Sequence, residues 1–148
     1  MSATAIVIRR VIPVPREEIF AAWLDPATLA LFMRPGATTK ATAEVDARVG
    51  GKFRIVMFHG DEGYEHRGEY LEIDPPSRLS FTWISVNTDL QPTIVTVEFH
   101  DRGGSTELVL THRGLPEAQV EPHTKGWTDI AYRLEDTLVS GPRRRSAR

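Results

Sequence analysis

The sequence of 148 residues contains no cysteine. Disulfides, thiolate metal ligands and a cysteine nucleophile are therefore all excluded. The sequence also has no apolar run near the roughly 20 residues that a membrane-spanning helix needs, and its first residues lack the charged and then apolar pattern of a signal segment. These absences predict a cytoplasmic protein without a membrane span.

A large charge of either sign is missing too, because the formal net charge is only −2. Such a balance gives no general attraction to nucleic acid, and we expect no nucleic-acid partner. Residues 1–140 show no internal repeat and no low-complexity tract, so we predict one domain over this range. Residues 141–148 are basic, with Arg143, Arg144, Arg145 and Arg148, and are predicted to be a disordered tail.

The longest periodic segment is 122–139, which is predicted to be an amphipathic helix. Pro122 suits the first turn, where its missing N–H would have no partner in any case. Ser140, Gly141 and Pro142 are expected to end the helix. Its predicted buried side consists of Trp127, Ile130, Ala131, Leu134 and Leu138.

The remaining pattern is mostly that of β-strands. A β-branched run at 5–12 predicts a first strand, and two short helices follow, at 16–24 and after Asp25-Pro26. Six further strands are predicted at 39–46, 51–59, 64–74, 78–85, 93–100 and 106–112. Most of their connections are short and rich in glycine or proline, which indicates antiparallel pairing. The longer connection 85–92 is expected to be a mobile loop.

Alternation within the strands assigns an inner and an outer face. The outer set includes Arg54, Glu98 and Glu107. The apolar inner set is Phe53, Ile55, Met57, Leu79, Phe81, Trp83, Val95, Val97, Phe99, Leu108 and Leu110. Tyr70 and His112 share this face, with His59 as a third candidate, and their polar tips need partners that a sealed aliphatic core would not provide. We therefore expect a cavity between the sheet and the C-terminal helix.

Five motifs occur in order along the chain: RRVIPVPREEIFAAW at 9–23, GGKF at 50–53, GEYLEIDPPSRLSFTW at 68–83, THRGLP at 111–116 and GW at 126–127. From about Ile6 to Leu138 the chain resembles the START-like helix-grip superfamily, also called SRPBCC, and within it the activator of heat-shock protein 90 ATPase homologue-like family. The resemblance implies an α+β helix-grip fold. In that fold a curved antiparallel sheet of about seven strands wraps round a long C-terminal helix, with two short helices after the first strand.

Several branches of this superfamily bind apolar ligands between the sheet and the helix. The resemblance thus implies non-catalytic binding of a small hydrophobic or aromatic ligand, without a cofactor. The predicted ligand-binding residues are Phe53, Ile55, Met57, Tyr70, Phe81, Trp83, Val97, Phe99, His112, Trp127, Ile130 and Leu134.

Two other functions stay open. An enzyme acting on a hydrophobic small molecule, by analogy with cyclase-like or hydrolase-like branches, could use His112 with Tyr70 for acid–base chemistry. No catalytic residue is assigned, because no serine lies in a Gly-x-Ser-x-Gly motif. The family name suggests a chaperone-associated stress-response module, for which the sequence shows no separate N-terminal chaperone-binding segment. A homodimer is also open.

No metal is predicted. A four-residue turn at 60–63 would place His59 and His66 diagonally on one face of a hairpin, but a zinc site needs three or four ligands. His100 and His123 are expected to be exposed. Gly68 and Gly126 lie inside regular elements, and close packing of helix on sheet is the expected reason, with a ligand lying against the backbone as the alternative.

Overall fold

The computed structural model describes residues 5–140, so the predicted basic tail at 141–148 lies outside the described residues. These described residues form seven strands and three α-helices in an α+β arrangement. They are β1 (Ala5–Ile12), α1 (Arg16–Ala22), α2 (Pro26–Phe32), β2 (Lys40–Val45), β3 (Lys52–His59), β4 (Glu62–Asp74), β5 (Arg78–Trp83), β6 (Thr93–Arg102), β7 (Ser105–Arg113) and α3 (Val120–Ser140).

All seven strands belong to one antiparallel sheet in the order β1-β7-β6-β5-β4-β3-β2. The first and second strands therefore lie at opposite edges, and α1 and α2 carry the chain from one edge to the other. The long helix α3 contacts both β1 and α2. The predicted helix-grip fold is confirmed.

The inner face of the sheet and one side of α3 form the core. The predicted inner residues of β3, β5, β6 and β7 are all buried, whereas Arg54 on the outer face is exposed. From α3 the core receives Trp127, Ile130, Ala131, Leu134 and Leu138, which is the predicted set. Alternation along strands and the helical period are sufficient to explain these faces.

The two short helices close one end of this core. Asp25 caps α2 as predicted, since its carboxylate accepts a hydrogen bond of 3.0 Å from the Thr28 N–H. Phe20 of α1 packs edge-on against Phe99, with ring centroids 5.2 Å apart. Trp23, just after α1, packs on Phe32 at 5.3 Å.

The hairpin between β3 and β4 differs from the prediction. Its strands pair as far as His59 with Glu62, so the turn has only Gly60 and Asp61 at its tip, and Gly60 adopts a φ of +62°. A two-residue turn with a positive φ matches the twist of paired strands better than a longer loop. The predicted four-residue turn at 60–63, which would set His66 opposite Met57, is therefore wrong: His66 lies opposite Ile55, two residues away from Met57.

Gly68 is closely packed, but against the neighbouring strands β3 and β5 and not against a helix as expected. A Cβ atom at this position would overlap the Thr82 carbonyl oxygen and would lie 2.7 Å from the ring of Phe53. The absence of a side chain at Gly68 thus lets β4 approach its neighbours on the inner face.

Candidate functional site

A cleft of about 350 Å³ opens at one end of the molecule, beside the first half of α3. Four segments meet there: the loop that follows α2, the β3–β4 hairpin, the loop that follows β5, and α3 itself. Its lining consists of Pro35, Gly36, Ala37, Thr38, Met57, His59, Tyr64, Glu65, His66, Ser85, Val86, Asn87, Pro122, Lys125, Gly126 and Asp129.

An inner pocket of about 140 Å³ adjoins this cleft. The two volumes share several walls, including Met57, His66 and Gly126. The inner pocket is also lined by Trp83, Trp127 and Ile130, and by the polar residues His123 and Gln119. The cleft and the inner pocket are therefore adjacent, and the inner pocket borders the aromatic side chains between sheet and helix.

The predicted ligand-binding residues fall into three groups. Met57, Trp83, Trp127 and Ile130 border the inner pocket. Phe53, Ile55, Tyr70 and Phe81 surround a separate void of about 10 Å³, which has room for no more than about one water molecule. Val97, Phe99, His112 and Leu134 are at most 1% exposed and border neither the cleft nor the inner pocket.

His112 is held from both sides by hydrogen bonds. The Trp127 indole N–H donates to Nδ1 of His112 over 2.9 Å. Nε2 of His112 lies 2.7 Å from the Thr93 hydroxyl, which itself donates to the Trp83 carbonyl. Since that hydroxyl has only one proton, His112 must donate from Nε2, and the ring is neutral. Burial lowers the pKa of His112 to about 3. This ring joins α3 to the sheet and has no nitrogen left for acid–base chemistry.

Two other histidines, His66 and His123, border the inner pocket. His66 packs against the Trp83 ring with centroids 5.0 Å apart, and its Nδ1 lies 3.1 Å from the Tyr64 carbonyl oxygen. Nδ1 of His123 lies 3.0 Å from the carbonyl oxygen of Gln119. Burial lowers the pKa of His66 to about 4 and lowers the pKa of His123 as well.

Sequence reasoning did not assign either histidine to the cavity. His123 was expected to be exposed, but it is partly buried within α3, with its ring 5.3 Å from that of His112. The predicted hairpin register gave His66 the wrong partner. His59 lies at the rim of the cleft, opposite Glu62. A Gly-Asp dipeptide read as a two-residue turn would have placed His66 correctly.

Gly126 differs from Gly68, and the expectation of close packing is wrong for it. A Cβ atom at Gly126 would meet only the Cβ of Pro35, at an ordinary 3.7 Å. Gly126 borders both the cleft and the inner pocket, which explains the free space. Because Gly126 has no side chain, α3 leaves space beside the cleft and the inner pocket at this position.

The two loops at the rim are anchored to the framework. The Gly36 N–H donates to the Asp129 carboxylate of α3 over 2.8 Å. In the segment 85–92, the side chains of Ser85 and Thr88 form a reciprocal cap on one 3₁₀ turn, and both residues are buried. Val86 beside them is 64% exposed at the cleft. The predicted mobility of this segment stays a prediction.

Catalytic and metal-binding arrangements are scarce in the part of the chain that the structure describes. Tyr70 packs on Phe53 and Phe81, whereas His112 packs on Trp127 and His123, so the pair considered for acid–base chemistry does not meet in any described ring contact or hydrogen bond. Within residues 5–140 no three His, Asp or Glu side chains are grouped as a metal site would require. None of the described helices has the length and apolar character to cross a membrane.

Comparison with known proteins agrees with this architecture. The chain is 30% identical over 109 residues to "Activator of 90 kDa heat shock protein ATPase homolog 1" of Mus musculus, which covers 72% of the chain and 30% of that protein. The human protein of the same name is 28% identical over the same length. The chain thus spans about 30% of the length of the curated relatives that it matches.

Solved structures give the same result. Protein CV1439 from Chromobacterium violaceum has 26% identity and a TM-score of 0.80, over 93% of this chain and 97% of that one. PFC0360w, named an HSP90 activator from Plasmodium falciparum, has 31% identity and a TM-score of 0.70, over 91% and 94% of the two chains. The family described as "Activator of Hsp90 ATPase homolog 1-like protein" matches residues 13–139. On this match the chain belongs to the Activator of Hsp90 ATPase homolog 1-like protein family, within the SRPBCC superfamily.

Proposed function

We propose that the protein binds a small apolar or aromatic molecule in the cleft and inner pocket, without changing it chemically. The observation that carries this proposal is the cleft and the adjoining inner pocket, which share several walls and border Trp83 and Trp127. Ligand sites usually measure about 300–1,000 Å³, so a cleft of about 350 Å³ suits a small molecule. An apolar cavity of about 150 Å³ holds one benzene ring, which is close to the size of the inner pocket.

The ligand would contact a narrower set of residues than the sequence predicts. Trp83, Trp127 and Ile130 offer an apolar floor, and Met57 offers an adaptable side chain that adjusts to different shapes. The residues around the separate void would support this floor from behind.

The geometry of the described residues favours binding over catalysis. Nucleophilic or acid–base catalysis requires a reactive group that a second group activates and orients. His112 is fully engaged in hydrogen bonds to Trp127 and Thr93, and it lies outside the cavity. Neither His66 nor His123 has a carboxylate or hydroxyl hydrogen-bonded to its ring among the described residues.

The test uses N-phenyl-1-naphthylamine, a neutral dye whose fluorescence rises in apolar surroundings. We expect saturable binding to the wild type and loss of binding in Gly126→Leu, whose side chain would fill the space between cleft and inner pocket. Gly126→Ala is the matched control, because its single methyl group meets only Pro35, and it should still bind the dye. A wild type that does not bind, or a folded Gly126→Leu protein that binds equally well, would contradict the proposal.

A second candidate is contact with an Hsp90-type chaperone. It is favoured by the names of three relatives, the mouse and human activators and PFC0360w. The ATPase rate of purified Hsp90 distinguishes the two functions. A rate that rises equally with the wild type and with Gly126→Leu would indicate a surface contact independent of the cavity, whereas an unchanged rate would favour ligand binding alone.

A further inference from the structure

We infer that the bound molecule carries a neutral hydrogen-bond donor, such as a phenolic hydroxyl, which donates to Nε2 of His66 or His123 in the inner pocket. The inference rests on the proposed function and specifies the chemical class of its ligand. It predicts hydroxylated aromatic molecules in preference to their ethers and to carboxylic acids.

The hydrogen bonds of the two rings fix which nitrogen carries the proton. Nδ1 of His66 faces the Tyr64 carbonyl and Nδ1 of His123 faces the Gln119 carbonyl. A carbonyl oxygen can only accept, so Nδ1 must be the donor in both rings. In a neutral imidazole the other nitrogen, Nε2, is then an acceptor. In both rings, therefore, the Nδ1 proton is donated to a backbone carbonyl and the lone pair of Nε2 can accept a hydrogen bond.

Both rings are neutral near pH 7. Burial is the largest cause that lowers the pKa of each ring, and for His66 the result is about 4. The carbonyl of Ile55 also lies near His66 and raises its pKa, but less than burial lowers it. A neutral ring brings no positive charge to the pocket, so a carboxylate would find two lone pairs and no cation there.

The protein itself offers few donors to these two acceptors. Within residues 5–140 no side chain donates a hydrogen bond to Nε2 of His66 or His123. The indole N–H of Trp127 is already donated to His112. The remaining polar groups of the inner pocket are the amides of Asn87, which is exposed, and Gln119, which is partly exposed, and the indole N–H of Trp83, which is buried without a hydrogen-bond partner. Both rings are partly buried, so a ligand that covers them takes water away from these acceptors, and the loss costs free energy unless the ligand supplies a donor.

The experiment compares three probes of one size by titration calorimetry at neutral pH: 2-naphthol, 2-methoxynaphthalene and 2-naphthoate. We expect 2-naphthol to bind about tenfold more tightly than the ether, which corresponds to one buried hydrogen bond, and more tightly than the carboxylate. In the double variant His66→Phe, His123→Phe the affinity for 2-naphthol should fall to that of the ether. Phenylalanine keeps an aromatic ring and removes the Nε2 acceptor, together with the Nδ1–H bond to the backbone carbonyl.

A second measurement needs no variant. In ¹⁵N-labelled wild-type protein, two-bond ¹H–¹⁵N spectra of the imidazoles should show protonated Nδ1 and free Nε2 for His66 and His123. Addition of 2-naphthol should shift an Nε2 resonance, whereas the ether should not. Equal affinity for 2-naphthol and the ether, tighter binding of 2-naphthoate, or protonated Nε2 in both rings would each overturn the inference. If the dye binds and 2-naphthol does not, only this inference fails; if neither binds, the proposed function fails with it.

Discussion

At the scale of single residues, Trp127 has a role that its size alone does not explain. Its indole N–H starts a chain of hydrogen bonds that runs through His112 and Thr93 to the Trp83 carbonyl. The chain connects α3 with β7, β6 and β5 inside an apolar core, and such bonds hold only when the helix lies at one position over the sheet. The polar groups therefore position the wall that α3 contributes to the cavity.

Replacement of Trp127 by phenylalanine should be more costly than the same change at Trp23. Both tryptophans are 2% exposed, but the Trp23 indole N–H is buried without a partner, whereas that of Trp127 is bonded to His112. Trp127→Phe leaves Nδ1 of His112 unpaired, which costs about 1–3 kcal/mol, while Trp23→Phe removes an unpaired donor. Urea unfolding should show Trp127→Phe less stable than Trp23→Phe by about that amount. Equal losses for the two variants would show that the bond to His112 adds nothing to stability.

At the scale of secondary-structure elements, the two glycines inside regular elements should respond oppositely to alanine. Gly68→Ala would drive a methyl group into the Thr82 carbonyl and the Phe53 ring, so we expect a loss of about 1–3 kcal/mol or more. Gly126→Ala meets only Pro35 and should stabilise α3 by about 0.5–1 kcal/mol, because alanine favours a helix more than glycine does. Urea unfolding of both variants checks the pair. A stability loss in Gly126→Ala would mean that α3 packs more tightly at Gly126 than the structure shows.

The elements themselves were largely predictable from sequence, because periodicity follows directly from backbone geometry. The buried side of α3 and the inner faces of β3, β5, β6 and β7 agree with the alternation of apolar residues. Register was less predictable, since it depends on turn length. The Gly60-Asp61 turn shifted the partner of His66 by two residues, and with it the assignment of a cavity wall.

At the scale of the whole molecule, the cleft depends on segments that have no periodic pattern. Pro35 to Thr38 and Ser85 to Asn87 are separated by about fifty positions in the sequence, yet both border the cleft beside α3. Loop positions follow from where the flanking elements pack, so the sequence alone predicted a cavity floor but not its rim. Because the loops decide where the cavity opens, Val97 and Phe99 of the inner face and Leu134 of α3 fill the core instead of bordering the cavity.

Global stability should depend on pH through the buried histidines. Burial lowers the pKa of His112 to about 3 and that of His66 to about 4, below the ordinary value of 6.5. Between these values the unfolded chain binds protons that the folded chain does not, so the free energy of unfolding must fall as pH decreases below about 6.5. His112 alone contributes a slope of about 1.4 kcal/mol per pH unit within this window.

Urea unfolding at intervals from about pH 7 down to about pH 5 measures this slope before most carboxylates begin to titrate. His66→Gln removes one of the buried rings at the edge of the cavity and should reduce the slope without removing the contribution of His112. A free energy of unfolding that stays constant over this range would show that both rings titrate alike in the folded and unfolded chains. His66 would then be protonated below about pH 6.5, and because a protonated ring has no lone pair to offer, ligand selection by the inner pocket would be confined to higher pH.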